Sequence, residues 1–229
     1  GVYKSTDAGT TWTKTFDAVS ENKSLGRIEL DISPVDNTRL FLGIYGNNTT
    51  NFYKSDDSGT TFSAINFGTG DNNVLASQGW YDNVMRAHPL DKNVFYAGGV
   101  YMCKVTVDPA ANTYATKPIA GGYGDITGQI NKSVHVDMHD IIYKVNPADP
   151  TQFRLIVTND GGVYSTGYKT NPGETEGDWS AKVTGLNSTQ FYGADKKKGE
   201  DAYLAGAQDN GSYISETTPS SATTNYTLL

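Results

Sequence analysis

Apolar residues along this chain alternate over short runs and rarely recur at helical spacing. Arg27-Ile-Glu-Leu-Asp-Ile-Ser-Pro34 sets Ile28, Leu30 and Ile32 on one face, then breaks at Val35-Asp-Asn-Thr38 and resumes as Arg39-Leu-Phe-Leu-Gly43. Period-two alternation bounded by Pro, Asp and Asn predicts two strands joined by a turn. The same script returns as Gly79-Trp-Tyr-Asp-Asn-Val-Met-Arg-Ala-His-Pro89, the turn Leu90-Asp-Lys-Asn93, and Val94-Phe-Tyr-Ala-Gly98. From Pro34 to Gly43 and from Pro89 to Gly98 the step is the same nine residues. A third copy runs from His135 through Pro147 and Ala148-Asp-Pro150 to Phe153-Arg-Leu-Ile-Val157, and a fourth from Phe191 through a lysine turn to Ala202-Tyr-Leu-Ala-Gly206. Two further short strands, joined by a hairpin, complete each copy, so the unit repeats about every 50 to 60 residues.

Four such units predict an all-β fold, a β-propeller of four-stranded antiparallel blades. The blades are expected at residues 27–66, 79–122, 134–186 and 190–229 of a single region, 1–229, with residues 1–18 supplying only the outer strands of another. Four blades plus a half do not close neatly, which leads to the expectation that the chain is part of a larger propeller. Inner strands should be sandwiched between blades, with Ile28, Leu30 and Ile32 covered.

The sharpest motif lies in the hairpins. Ser5-Thr-Asp7-Ala-Gly9-Thr-Thr-Trp12 and Ser55-Asp-Asp57-Ser-Gly59-Thr-Thr-Phe62 each follow a Tyr-Lys pair. A short Asp can cap turn amides, Gly permits positive φ, and the aromatic folds back as a plug. These octapeptides resemble the Asp-box, or bacterial neuraminidase repeat, of sialidases, xyloglucanases and sortilin-like receptors. That resemblance implies a structural role for Ser5, Asp7, Gly9, Trp12, Ser55, Asp57, Gly59 and Phe62, away from any active site. A later hairpin departs from it, starting at Ser165 and reaching Trp179 only after an insertion from Gly167 to Asp178. The hairpin near Gly211 has lost the motif.

Composition narrows the function. The 25 glycines and 15 tyrosines suit many short strands joined by tight turns. A net charge of −7 and pI near 4.9 oppose a phosphate backbone, and the one basic run, Lys196 to Lys198, sits among acidic residues as a solvated turn. Nucleic acid is therefore not an expected partner. Cys103 is the only cysteine, in an apolar stretch, so no intrachain disulfide can form. No apolar run is long enough to span a membrane.

Candidate chemistry gathers where inner strands begin, at the mouth of the propeller axis. The positions are Arg27, Trp80, Tyr81, Asp82, His135, Asp137, His139, Asp160, Tyr192, Gln208 and Asp209. The runs containing all of these but Arg27, within about residues 77 to 212, are in order similar to a narrower group of extracellular propeller proteins from bacteria that use type IX secretion. That similarity implies an extracellular or cell-surface location. His135, Asp137 and His139 are read as alternating along one strand. Their same-face spacing of about 6 to 7 Å suits a hydrogen-bonded network locking adjacent blades better than one compact zinc site. Asp82 and Asp137 stand where xyloglucanase-like propellers place paired acids, and two carboxyls are the minimum apparatus for glycoside hydrolysis. Trp80, Tyr81 and Tyr192 have the shape to stack on sugars. A sialidase would need an arginine triad, and the chain has four arginines in all, two of them in second strands. Loops Gly70 to Asn73 and Asn159 to Gly162 offer oxygens for a structural calcium, although turn chemistry explains them equally well. No metal or other cofactor is otherwise expected. The leading expectation is a non-catalytic scaffold that binds protein, peptide or glycan at the mouth, and that contacts the rest of its parent chain. The alternative is a glycoside hydrolase using Asp82 and Asp137.

Overall fold

The computed structural model describes residues 1–18, 27–46, 49–70, 73–122, 130–131, 133–182, 191–200, 202–207, 210–215 and, for the backbone, 226–228. These residues form strands and turns with no helix. Two compact units are present, Gly1–Lys182 and Val183–Leu229.

In the first unit, β1 (Val2–Lys4) and β2 (Thr13–Phe16) make an antiparallel pair. β3 (Ile28–Ile32), β4 (Leu40–Gly46), β5 (Thr49–Ser55) and β6 (Ser63–Ala64) follow as a four-stranded antiparallel sheet. Next come β7 (Asn66–Thr69), β8 (Val84–Ala87), β9 (Val94–Gly98), β10 (Met102–Asp108) and β11 (Thr113–Ala120), in the order β7-β11-β10-β9-β8. β12 (Met138–Asn146), β13 (Asp149–Asn159), β14 (Gly162–Thr166) and β15 (Trp179–Ala181) complete the unit. The second unit holds one antiparallel sheet of β16 (Phe191–Lys196), β17 (Tyr203–Ala207), β18 (Ser212–Ser215) and β19 (Tyr226–Leu228). Repeated four-stranded meanders that stack face to face are the blades of a β-propeller.

Stacking explains the patterning. One core lies between the second and third groups of strands, where Phe41 and Phe52 meet Phe95 at ring distances of 4.6 and 5.0 Å and Phe52 meets Tyr114 at 5.2 Å. Gly43 makes this approach possible, since a Cβ there would fall 2.7 Å from the Met85 Cε. The next core joins Val84, Tyr96 and Met102 to Ile141, Phe153 and Leu155. Trp179 plugs it, its indole N–H donating to the Ile119 carbonyl at 3.1 Å. Cys103 is buried among apolar neighbours. Arg86 ties three inner strands together. Its Nε donates to the Ile141 carbonyl at 2.7 Å, and its guanidinium nitrogens lie 3.6 Å from Asp31 and 3.6 Å from Asp140.

Three expectations change. Leu30 and Ile32 are 37% and 49% exposed, because their face looks toward β1 and β2, which supply two strands where a full sheet has four. Asn66, the last residue of the 27–66 blade by sequence, instead opens β7, which pairs in parallel with β11 of the following sheet. And β12 begins only at Met138, so His135 and Asp137 precede the strand on which they were placed.

The two octapeptide hairpins fold alike. Ser55 Oγ donates to Asp57 Oδ1 at 2.7 Å and accepts the Gly59 N–H at 2.8 Å, while the Thr61 N–H and hydroxyl donate to the Asp57 carboxylate at 2.9 and 2.7 Å. Ser5, Asp7, Gly9 and Thr11 repeat those bonds at 2.8, 2.8, 2.9 and 2.6 Å. Donation by Thr61 and Ser55 lowers the Asp57 pKa to about 2, and Thr11 and Ser5 do the same for Asp7.

Candidate functional site

The segment before β8 turns tightly, with the N–H groups of Tyr81 and Asp82 both donating to the Gln78 carbonyl at 2.7 and 2.8 Å. This turn drives Asp82 inward, where its side chain is fully buried, and leaves Trp80 and Tyr81 outside at 66% and 44% exposure. The two rings stand 5.7 Å apart. Arg27 flanks them: its Nη1 donates to the Tyr81 carbonyl, its Nε pairs with Glu29 at 2.9 Å, and its own carbonyl accepts from Asn83 at 3.1 Å.

Asp137 arrives from the turn before β12. Its φ of 63° is the left-handed region that a non-glycine residue rarely occupies. Backbone bonds hold it there, Asp137 N–H to the Val100 carbonyl at 3.1 Å and Met138 N–H to the Gly99 carbonyl at 2.8 Å, both crossing to the preceding sheet. Such a conformation persists where surrounding structure enforces it, and it marks candidate functional positions. Asp137 is 6% exposed and accepts from Gln78 Nε2 at 3.4 Å.

Burial, followed by the nearby Asp137 carboxylate, pushes the Asp82 pKa up to about 7, against the lowering pull of His139. Neither Asp82 oxygen accepts from an N–H or hydroxyl donor. His139 stands beside them, its Nε2 2.5 Å from Asp160 Oδ1 and its Nδ1 3.7 Å from Asp82 Oδ1. Its ring meets Tyr81 edge-on at 5.4 Å.

The sequence-predicted trio therefore divides. Asp137 and His139 both face Asp82, whereas His135 packs on the turn after β13: a Cβ on Gly161 would fall 2.4 Å from the His135 Cβ, and Asn159 Nδ2 donates to the His135 carbonyl at 2.8 Å. Asn159 Oδ1 also accepts the Gly161 N–H at 3.0 Å, so this loop's amide is committed to the turn. Among the described residues, no three His, Cys, Asp or Glu side chains are placed to hold a metal ion. Tyr192, in the second unit, is 70% exposed. Gln208, Asp209, Asp71 and Asn72 lie outside the described residues. Arg86 was missed by motif reading. Its signal was a lone charge within Val-Met-Arg-Ala, a strand otherwise apolar.

The arrangement has a plain chemical consequence. Carboxyls that flank a glycosidic bond stand about 5 to 9.5 Å apart and reach substrate. Asp82 is fully buried and Asp137 is 6% exposed, so neither carboxyl is presented to solvent.

No protein-family model matches this chain, and no curated protein does. Among solved structures it is similar to the GH74 enzyme of Niastella koreensis, with a TM-score of 0.49 and 16% identity over 98% of this chain and 33% of that one. It thus spans about a third of that enzyme's length. It is also similar to Sqt1 of Saccharomyces cerevisiae (TM-score 0.42, 8% identity, 81% of this chain and 46% of that one). YCF48 of Cyanidioschyzon merolae follows (TM-score 0.35, 11% identity, 88% of this chain and 56% of that one). At such identities the likeness concerns architecture and brings no substrate or activity across.

Proposed function

We propose that this chain is a non-catalytic binding scaffold of the bacterial cell surface or exterior, taking a protein, peptide or glycan segment on the Trp80–Tyr81 platform. One observation carries the reading: the turn at Gln78 buries Asp82 and presents two aromatic rings to solvent in the same step. Exposed aromatics beside a few oriented polar groups, here Arg27, His139 and Asp160, are the composition of a recognition surface. The extracellular placement draws on the Asp-box resemblance of the two hairpins and on the mouth's similarity to propellers of type IX-secreting bacteria.

The hydrolase alternative has one point in its favour, the raised Asp82 pKa, which is what an acid catalyst requires near neutrality. Burial of that carboxyl opposes it. Peptide and glycan arrays probed with wild type and Trp80→Ala decide the first reading, with at least tenfold weaker retention expected for the variant. Polysaccharide digests assayed for new reducing ends decide the second. Reducing ends that appear with wild type and vanish with Asp82→Asn would overturn the scaffold.

A further inference from the structure

Between β6 and β7 the chain changes sheets. β6 pairs with β5, the Ile65 N–H still donates to the Phe52 carbonyl at 2.9 Å, and from Asn66 onward the backbone runs parallel to β11. The divergence opens a groove of about 450 Å³ beside the start of β5, a size typical of small-molecule sites. Thr49, Asn51, Asn66 and Asn73 line it with amides and hydroxyls, and Phe67 and Tyr114 with aromatic rings.

Two properties of the lining select a ligand. Every described residue in it is uncharged, although the chain carries −7 overall. And Phe67 is 41% exposed, its ring held in a T-shaped contact with buried Tyr114 at 5.5 Å, so that an exposed aromatic surface lines the groove. The walls are also fixed in advance. Asn51 Nδ2 donates to the Thr49 carbonyl and hydroxyl at 3.3 and 3.2 Å, and Asn112 pins both sides of the divergence, accepting the Asn66 N–H at 3.0 Å and donating to the Ala64 carbonyl at 2.8 Å. Preorganised walls reduce the ordering cost of binding.

We propose that this groove binds a short neutral glycan, stacked on Phe67 and hydrogen-bonded by the Asn51 and Asn66 amides. Sugar rings join an apolar C–H face to a girdle of hydroxyls, which matches aromatic and amide walls, while a charged ligand finds no counter-charge among the described residues. A peptide adding as a strand fits less well. The Phe52 carbonyl points outward and is taken by Ile65, so by the two-residue period only the Thr50 backbone groups remain outward before it, too short an edge for strand addition. The site shares no residue with the Trp80–Tyr81 platform and stands or falls apart from it.

Cello-, xylo- and manno-oligosaccharides titrated by calorimetry against the whole chain test the proposal. Wild type should bind at least one series, Phe67→Ala should lose at least tenfold in affinity, Asn51→Ala several-fold, and Phe67→Trp should retain binding. Trp80→Ala should leave this affinity unchanged. The proposal is overturned if wild type is silent to all three series, if Phe67→Ala with an unchanged melting temperature binds normally, or if the variant instead abolishes binding of a peptide.

Discussion

Asp57, at a hairpin tip, and Asp82, at the mouth, carry the same side chain and titrate in opposite directions. Asp57 is met by Ser55 and Thr61, all within four residues, and its carboxyl falls to about 2. Asp82 is met by Asp137, His139 and Asp160, which a neighbouring sheet and the turns on either side of its inner strand bring in, and it rises to about 7. The hairpin is local chemistry, written twice in the chain and folded the same way twice. The mouth is made by stacking. A short motif can specify the first, and only the assembled sheets can specify the second.

The largest predicted effect separates these two aspartates by pH. Because Asp82 lies above its ordinary value of 3.8 when folded, folding takes up a proton, and stability present at low pH is lost as pH rises toward 7. Wild type should lose on the order of a few kcal/mol between pH 4 and pH 8 from this group. Asp82→Asn should flatten that dependence and be more stable than wild type at pH 8, read by urea unfolding at both pH values. Asp57, lowered when folded, contributes stability above 3.8 that is lost as pH falls toward 2. Asp57→Asn should therefore weaken the protein at pH 7 and match wild type near pH 2. Equal wild-type stability at pH 5 and pH 8 would mean that burial beside Asp137 does not raise Asp82.

Strand positions were legible because each depends on a few adjacent residues: Pro34 to Leu40 and Pro89 to Val94 fold as turn and strand in both copies. The hairpin bonds were legible for the same reason. Asp82 and Asp137 lie just before β8 and β12, and their burial was not foreseeable, since it follows from the Gln78 turn and from backbone bonds to Gly99 and Val100 in another sheet. The His135 trio failed because Asp137 takes a left-handed φ that alternation cannot announce in a non-glycine residue. The sheet change at Asn66 was hidden too, as β7 is short, exposed on every residue and without an apolar pattern.

The twin hairpins allow a finer test, because their aromatic plugs differ in what they touch. Phe62 packs against Phe16 at a ring distance of 5.7 Å, beside the core of Leu42, Ile44 and Tyr53. Trp12 is 62% exposed, its indole N–H bonded to the Gly9 carbonyl at 3.0 Å in its own turn. Phe62→Ala should cost on the order of 1 to 2 kcal/mol and Trp12→Ala clearly less, measured by chemical denaturation. Equal losses would make the plug a purely local device.

The smallest effect isolates tertiary contact from backbone strain. Gly9 and Gly59 have φ of 89° and 77°, so an alanine at either is strained by about 1 kcal/mol, and this part should be common to both. Their surroundings differ. A Cβ at Gly59 would lie 3.2 Å from Cδ2 of buried Leu40, close enough that Leu40 must give way, whereas at Gly9 the nearest atom is Trp12 Cζ2 at an ordinary 3.8 Å. Gly59→Ala should therefore exceed Gly9→Ala by a further few tenths of a kcal/mol, of the order that small packing conflicts cost. If the two variants melt together, the Leu40 side chain moves aside freely, and the second hairpin is docked on its sheet no more firmly than the first.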